Sequence, residues 1–354
     1  MKKNKINLLP LDKFIDNSLY NKKTGFYMNN NPFGEKGDFI TAPNISILFS
    51  EMIFVWIYSI WEKFNKPNKI NFVELGAGNG EMLFQILKTS KKFKGFINSF
   101  NFFVFEKSEY LEKIQKKKLK DYKVTWLKDL NKIPDSPTIF IANEFFDALP
   151  IKQFIKIKKT WYEKYIKYSK ENIKFINKKT NIKKIESKFG IKLSANQNFI
   201  EFSPLAYYLL KKISNEIKSK NGGLLIIDYG SKEKKMKNTL HAIKNHKRVS
   251  LLKNNKNVDI TYNLNFELID KIINKFDLKL NGYTNQKKFL INLGILERAE
   301  ILAKNLKFSE KANIYSRLTR LIDEKLMGDL FKVAFISKKK DKFNIGFKWL
   351  DLKS

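Results

Sequence analysis

Phe72-Val73-Glu74-Leu75-Gly76-Ala77-Gly78-Asn79-Gly80-Glu81 is the stretch whose reading decides the fold. An apolar run from Ile70 to Leu75 leads into glycines at three alternate positions, and a helix-like segment, Glu81 to Leu87, follows at once. The order reads as strand, tight turn, helix start. Glycine suits such a turn for two reasons: the backbone angles exclude a Cβ, and a ligand must approach the main chain closely. The helix start beyond it offers unpaired N–H groups to an anion such as a carboxylate. The bland alternative is a glycine turn that holds no ligand.

Dinucleotide-binding folds use Gly-x-Gly-x-x-Gly. This chain has Gly-x-Gly-x-Gly, with Glu74 two residues before the first glycine. That pattern resembles the first motif of class I S-adenosylmethionine-dependent methyltransferases. The resemblance implies a second acid at the end of the next strand, holding the ribose hydroxyls. Phe102-Phe103-Val104-Phe105-Glu106 supplies it, 26 residues after Gly80.

A chain of 354 residues with 43% hydrophobic content builds one large or two medium domains around a sizeable core. With no cysteine and only His241 and His246, it excludes disulfides, thiolate metal sites and histidine-rich metal sites. The formal charge of +34 has two readings. A basic surface binds nucleic acid or anionic membrane. Alternatively, an AT-rich coding sequence drifts towards Lys, Asn and Ile. Arginine is confined to Arg248, Arg298, Arg317 and Arg320, and the lysines are spread rather than blocked, which favours drift. Met1 to Leu11 is basic without the apolar run of a signal peptide. The most apolar window, Met52 to Trp61, is too short to span a bilayer. These features predict a soluble, cytoplasmic protein.

Outside the glycine turn, the periodicity predicts a helix over residues 8–20, an apolar-faced helix from Ser46 to Phe64 and an amphipathic helix over 108–120. Lys123 to Leu127 reads as a short strand, with Asp129 two residues beyond it at the sheet edge where ligands bind. Asp129 there either reaches an adenine amino group or caps a turn. Ile151 to Lys156 and Trp161 to Tyr168 alternate as antiparallel strands do, within an insertion of about 151–200. Ser203-Pro204 opens a helix as N-cap and first residue. Leu224 to Gly230 is another buried strand, with Asp228 and Tyr229 at its polar end. Residues 231–258 read as a polar, mobile connection, and Gly282 to Gln286 as a turn. Phe289 to Lys304 and Asn313 to Leu326 look helical, and the stretch from Gly328 ends in a strand at Ile336. The expected fold is α/β: a doubly wound, Rossmann-like sheet over 70–354, preceded by a helical and loop extension over 1–69.

The second informative stretch is Asn143-Glu144-Phe145-Phe146-Asp147-Ala148-Leu149-Pro150, directly after the buried strand Thr138 to Ala142. Two carboxylates three residues apart, beside aromatics, would be costly to desolvate without a cation. A guanidinium or ammonium would offset that cost. The competing reading is a capping turn with Asn143 or Asp147 as N-cap. Upstream, Gly34-Glu35-Lys36-Gly37-Asp38-Phe39-Ile40-Thr41-Ala42-Pro43 reads either as linker or as a functional loop.

Taken together, these stretches resemble the MidA family of methyltransferase-like proteins, which includes a mitochondrial complex I assembly factor. The matching pieces include Gly25-Phe26-Tyr27, Gly37 to Pro43, Glu74 to Gly80, Asn143 to Pro150, Asp228-Tyr229-Gly230, Asp259-Ile260-Thr261, Thr284 to Leu290 and Met327 to Val333. They run in family order over nearly the whole chain. Asn254 to Asn257 and Asn238 depart from the family pattern, which bears on the 231–261 loop. The resemblance implies a class I methyltransferase fold and S-adenosylmethionine binding. For the mitochondrial members it also implies methylation of an arginine in a complex I subunit.

On this reading the expected cofactor residues are Glu74, Gly76, Ala77, Gly78, Gly80, Glu106, Asp129 and Asn143. The expected catalytic residues are Glu144 and Asp147, with Asp38 as a third. Two rivals stand beside a protein methyltransferase. One is an assembly or binding factor with a vestigial pocket. The other is a nucleic-acid methyltransferase, against which the missing prolines after Asn143 and the adjacent acids argue.

Overall fold

Among the described residues the main sheet has seven principal strands: β1 (Ile70–Leu75), β2 (Phe100–Phe105), β3 (Val124–Leu127), β4 (Thr138–Asn143), β5 (Gly222–Ser231), β6 (Leu278–Asn285) and β7 (Phe331–Lys338). The computed structural model describes residues 7–34, 41–168, 173–244, 247–252 and 258–348. The spatial order is β6-β7-β5-β4-β1-β2-β3, and the two-residue strand Leu264–Asn265 pairs beside the end of β5. Strands β1 to β5 run parallel, while β7 is antiparallel to both of its neighbours. All six residues of β1 are buried, Asn71 and Glu74 included, as expected of a strand with parallel neighbours on both sides.

Each face of the sheet carries helices. The Ile47–Lys63 and Glu81–Ser90 helices pack on one face, and Pro204–Lys220 and Phe266–Asn274 on the other. Ser203 caps its helix as expected, its hydroxyl accepting the Ala206 N–H at 3.1 Å. A third core joins the Leu11–Tyr20 helix to an antiparallel sheet built from Lys152–Ile157, Thr160–Tyr168, Ile173–Lys179 and Phe199–Phe202. The first described strand, Asn7–Pro10, pairs with Thr160–Tyr168, so chain start and insertion form one layer.

Three local expectations are corrected. The 231–258 connection contains strands His241–Lys244 and Lys247–Val249, which form a small antiparallel sheet with Asp259–Thr261. These strands are too short and too rich in lysine to show a period. Gly282 lies within β6 and not in a turn: the Phe347 ring occupies the place its Cβ would take. The helix expected over 289–304 is two, Gln286–Asn292 and Ile295–Ala303, separated where Gly294 turns to φ +87°. Among the described residues, no helix is long and apolar enough to cross a membrane.

Candidate active site

Strands β1 and β4 lie side by side with Leu75 opposite Ala142. The chain leaves β1 towards β2 on one side and leaves β4 towards β5 on the other. A crevice opens outside the strand ends at such a reversal, and ligands bind there. Three cavities meet in it. One of about 410 Å³ is walled by Tyr20, Tyr27, Phe33, Gly76, Gly78, Glu106 and Phe145, among others. A recess of about 40 Å³ adjoins it, lined by Glu74, Ala77, Asn79 and Asn143. A third, of about 340 Å³, carries Glu144, Asp147, Tyr229, His241 and Asp259, with exposed Arg248. Phe33 and Glu144 line all three.

The glycine turn is built as its sequence suggests. Gly76, Gly78 and Gly80 have φ of +67°, +54° and +78°, a region that Cβ-bearing residues rarely occupy. A Cβ on Gly76 would lie 2.6 Å from the Phe145 ring. Gly80 starts the Glu81–Ser90 helix and lines none of the three cavities.

Glu74 is 3% exposed, and its Oε2 has no hydrogen-bond partner. Burial, then the charge of Glu106, pushes its carboxyl up to about 8. Glu106 is better satisfied. Its Oε1 accepts the Ser108 N–H at 2.8 Å and its Oε2 accepts Gln115 Nε2 at 3.0 Å, so burial raises its carboxyl against these opposing bonds. Asn143 donates to Glu144 at 3.2 Å, and its own Oδ1 is buried without a partner.

Glu144 sits at φ +50°, strained for a residue with a Cβ, as occurs at functional sites. Its N–H donates to the Ile227 carbonyl at 2.9 Å, which ties the turn to β5. Burial pushes its carboxyl up to about 7, opposed by bonds from Asn143 and the Ala42 backbone and reinforced by Asp259. Asp147 is buried with Oδ1 unpartnered; burial and then Asp228, Asp259 and Glu144 drive its carboxyl well upward. Asp259 accepts the Tyr27 hydroxyl at 2.6 Å. Among the described residues, no salt bridge reaches Glu144, Asp147 or Asp228.

Two expected residues stand apart. Asp129 lines none of these cavities. It caps the short Leu130–Lys132 turn and pairs with Lys212 at 3.0 Å, so the geometry favours the capping alternative over an adenine contact. Asp38 lies outside the described residues.

Other residues enter the site without having been singled out for it. Tyr20, Tyr27 and Phe33 stack as an aromatic wall, Tyr20 on Tyr27 at 5.7 Å and Tyr27 on Phe33 at 6.2 Å. Gln115 joins Glu106 to the Gly78 carbonyl. His241 Nδ1 donates to the Thr239 carbonyl at 2.8 Å, which leaves Nε2 to accept from Thr261 at 3.1 Å. The tripeptide containing Asp259 and Thr261 was visible as a family match, but its place in the cavity was not.

A parallel sheet with an antiparallel seventh strand, a glycine turn after β1 and acids on or just beyond β1 and β2 define the class I methyltransferase fold. A family model described as "Putative S-adenosyl-L-methionine-dependent methyltransferase" matches residues 52–284. The chain belongs to that family, the MidA family of S-adenosylmethionine-dependent methyltransferases. It is 28% identical to the Xenopus tropicalis "Protein arginine methyltransferase NDUFAF7, mitochondrial", covering 92% of this chain and 81% of that protein. The Homo sapiens protein of the same name is 26% identical, with 90% and 78% covered. The Caenorhabditis elegans homolog is 30% identical over 75% of this chain and 67% of its own. The crystal structure of a Burkholderia thailandensis protein bound to S-adenosyl-homocysteine superposes with a TM-score of 0.78 at 20% identity, covering 96% and 89%.

Proposed function

We propose that this chain is a protein-arginine N-methyltransferase, with Glu74 and Glu106 gripping the cofactor and Glu144 and Asp147 gripping the acceptor. The observation that carries the reading is Glu144, a strained, half-buried acid on the wall shared by both large cavities.

The residues around the larger cavity fit S-adenosylmethionine. The orphaned Oε2 of Glu74 matches an ammonium group. Glu106 retains lone pairs for ribose hydroxyls, and Gly76, Ala77, Gly78 and Gly80 shape a turn that a ligand can approach. Asn143 Oδ1 offers one further acceptor. When bound, the cofactor supplies an electrophilic methyl group.

The smaller large cavity fits a cationic side chain. Arginine keeps its charge at any physiological pH. A guanidinium placed beside Asp147 Oδ1 and Glu144 would relieve the repulsion between these acids and lower both carboxyls. Glu144, at about 7 in the ligand-free chain, would be ionised by the arriving guanidinium and so stand as an acceptor for the proton that the nitrogen loses when the methyl is transferred. Tyr27 and Phe33 line both large cavities and present apolar ring surface where they meet. The curated relatives are named for arginine methylation, and the family resemblance suggests a complex I subunit as the first substrate to try. The relatives' names also say "mitochondrial"; the cytoplasmic placement expected for this chain stays part of the proposal, for fractionation to decide.

The test is incubation with methyl-labelled S-adenosylmethionine and a lysate of cells lacking this gene. The expected result is label in arginine side chains, reduced about 10²–10⁴-fold by Glu144→Gln. The acid limb of kcat/KM near pH 7 should vanish in that variant. Label on lysine, or no transfer to any protein, would remove the arginine assignment.

A further inference from the structure

The acid expected to hold the ribose does not stand alone. Glu106 Oε2 accepts a hydrogen bond from Gln115 Nε2 at 3.0 Å, and the same nitrogen donates to the Gly78 carbonyl at 2.9 Å. Both N–H groups of the amide are therefore engaged, one on each wall of the 410 Å³ cavity. The other end of the amide is equally constrained. Gln115 Oε1 accepts the Trp126 indole N–H at 2.9 Å. An indole nitrogen only donates, so a flipped amide would set two donors against each other and an oxygen against the Glu106 carboxylate. Gln115 is fully buried, on the Glu109–Lys118 helix behind the cavity, and does not line it.

We propose that Gln115 is a positioning residue: its amide, oriented by Trp126, fixes the Glu106 carboxylate at a set distance from the glycine turn. The proposal rests on the cofactor reading above for its purpose, though not for its geometry. Two consequences follow. The bond from Gln115 favours the ionised carboxylate, so Glu106 is kept an acceptor for hydroxyl donors. The Gly78 carbonyl, which accepts from the same amide, is tied to Glu106 through it.

The test combines two readouts on Gln115→Met, of similar length and without the amide, and on Trp126→Phe, which frees the amide to rotate. The first readout is the titration of Glu106 in ligand-free protein, followed by the carboxyl carbon-13 shift and assigned with Glu106→Gln. The second is S-adenosyl-homocysteine affinity between pH 5.5 and 8.5. The expected result for Gln115→Met is a Glu106 midpoint raised by about one unit and an affinity at least tenfold weaker, most strongly at low pH. Trp126→Phe should shift both in the same direction by less. An unshifted midpoint in both variants overturns the proposal, as does an affinity loss that is uniform with pH and follows only the fall in Tm. If the wild type binds no S-adenosyl-homocysteine, the cofactor reading fails, and the midpoint still decides the role of Gln115.

Discussion

The carboxylate of Asp228, within β5, accepts the backbone N–H of Asp147 at 3.3 Å, so one buried acid holds the turn that carries another. The same oxygen accepts the Phe146 N–H at 3.1 Å, and the second oxygen accepts that of Tyr229 at 2.9 Å. Burial and the neighbouring Glu144 raise Asp228, while the three N–H donors pull the other way. Asp228 is thus an anchor, and Glu144 and Asp147 are what it anchors. Removing it leaves buried N–H groups without acceptors. Asp228→Ala should cost about 2–4 kcal/mol in urea unfolding, with Asp228→Asn costing less because one acceptor oxygen remains.

Gly76 makes a sharper prediction about shape. Alanine at φ +67° costs roughly 1–2 kcal/mol in backbone strain. Its Cβ would also strike Phe145, a ring that lines the cavity and would have to shift. Gly76→Ala should weaken S-adenosyl-homocysteine binding at least tenfold by calorimetry. Adding Phe145→Ala should return part of the affinity and none of the strain.

Glu74 links the site to stability. Its carboxyl moves from an ordinary value of 4.5 to about 8 in the folded chain, so between those values the folded state holds a proton that the unfolded state has released. Stability of the ligand-free protein therefore falls as pH rises from about 4.5 to 8, and levels off above. Glu74→Gln removes this part of the slope and should stabilise the ligand-free protein at pH 8, by on the order of a few kcal/mol. Glu144 has the same sign between 4.5 and about 7 and retains its share in that variant. Urea midpoints at pH 5 and 8 measure the difference. Stabilisation without ligand, together with loss of S-adenosyl-homocysteine binding, would mark Glu74 as held for a cation and not for the fold.

Much of the sheet could be read directly from the chain. β1, β4 and β5 are mostly apolar because strands buried on both faces admit few polar residues. The glycine turn was legible because left-handed backbone permits few other residues, and Glu106 because the next strand ends just before it. What was hidden depends on distance. Gln115 looks like one more polar residue in a lysine-rich helix; its meaning comes from partners 9 and 37 positions away. Strand Asn7–Pro10 has no period of its own and exists because Thr160–Tyr168 offers it an edge. Phe33 and Tyr27 read as loop aromatics until the fold stacks them across the crevice. The two readings of Asp129 separate only once Lys212, on a distant helix, is brought to its side.

The central claim is that acids on or just beyond neighbouring strands hold the methyl donor at the point where the sheet reverses its order. Titration calorimetry of S-adenosyl-homocysteine into the wild-type chain and into Glu106→Ala tests it most directly. The account predicts one site per chain in the wild type, weakened at least tenfold in the variant. No binding to the wild type, or equal binding by both, would contradict it.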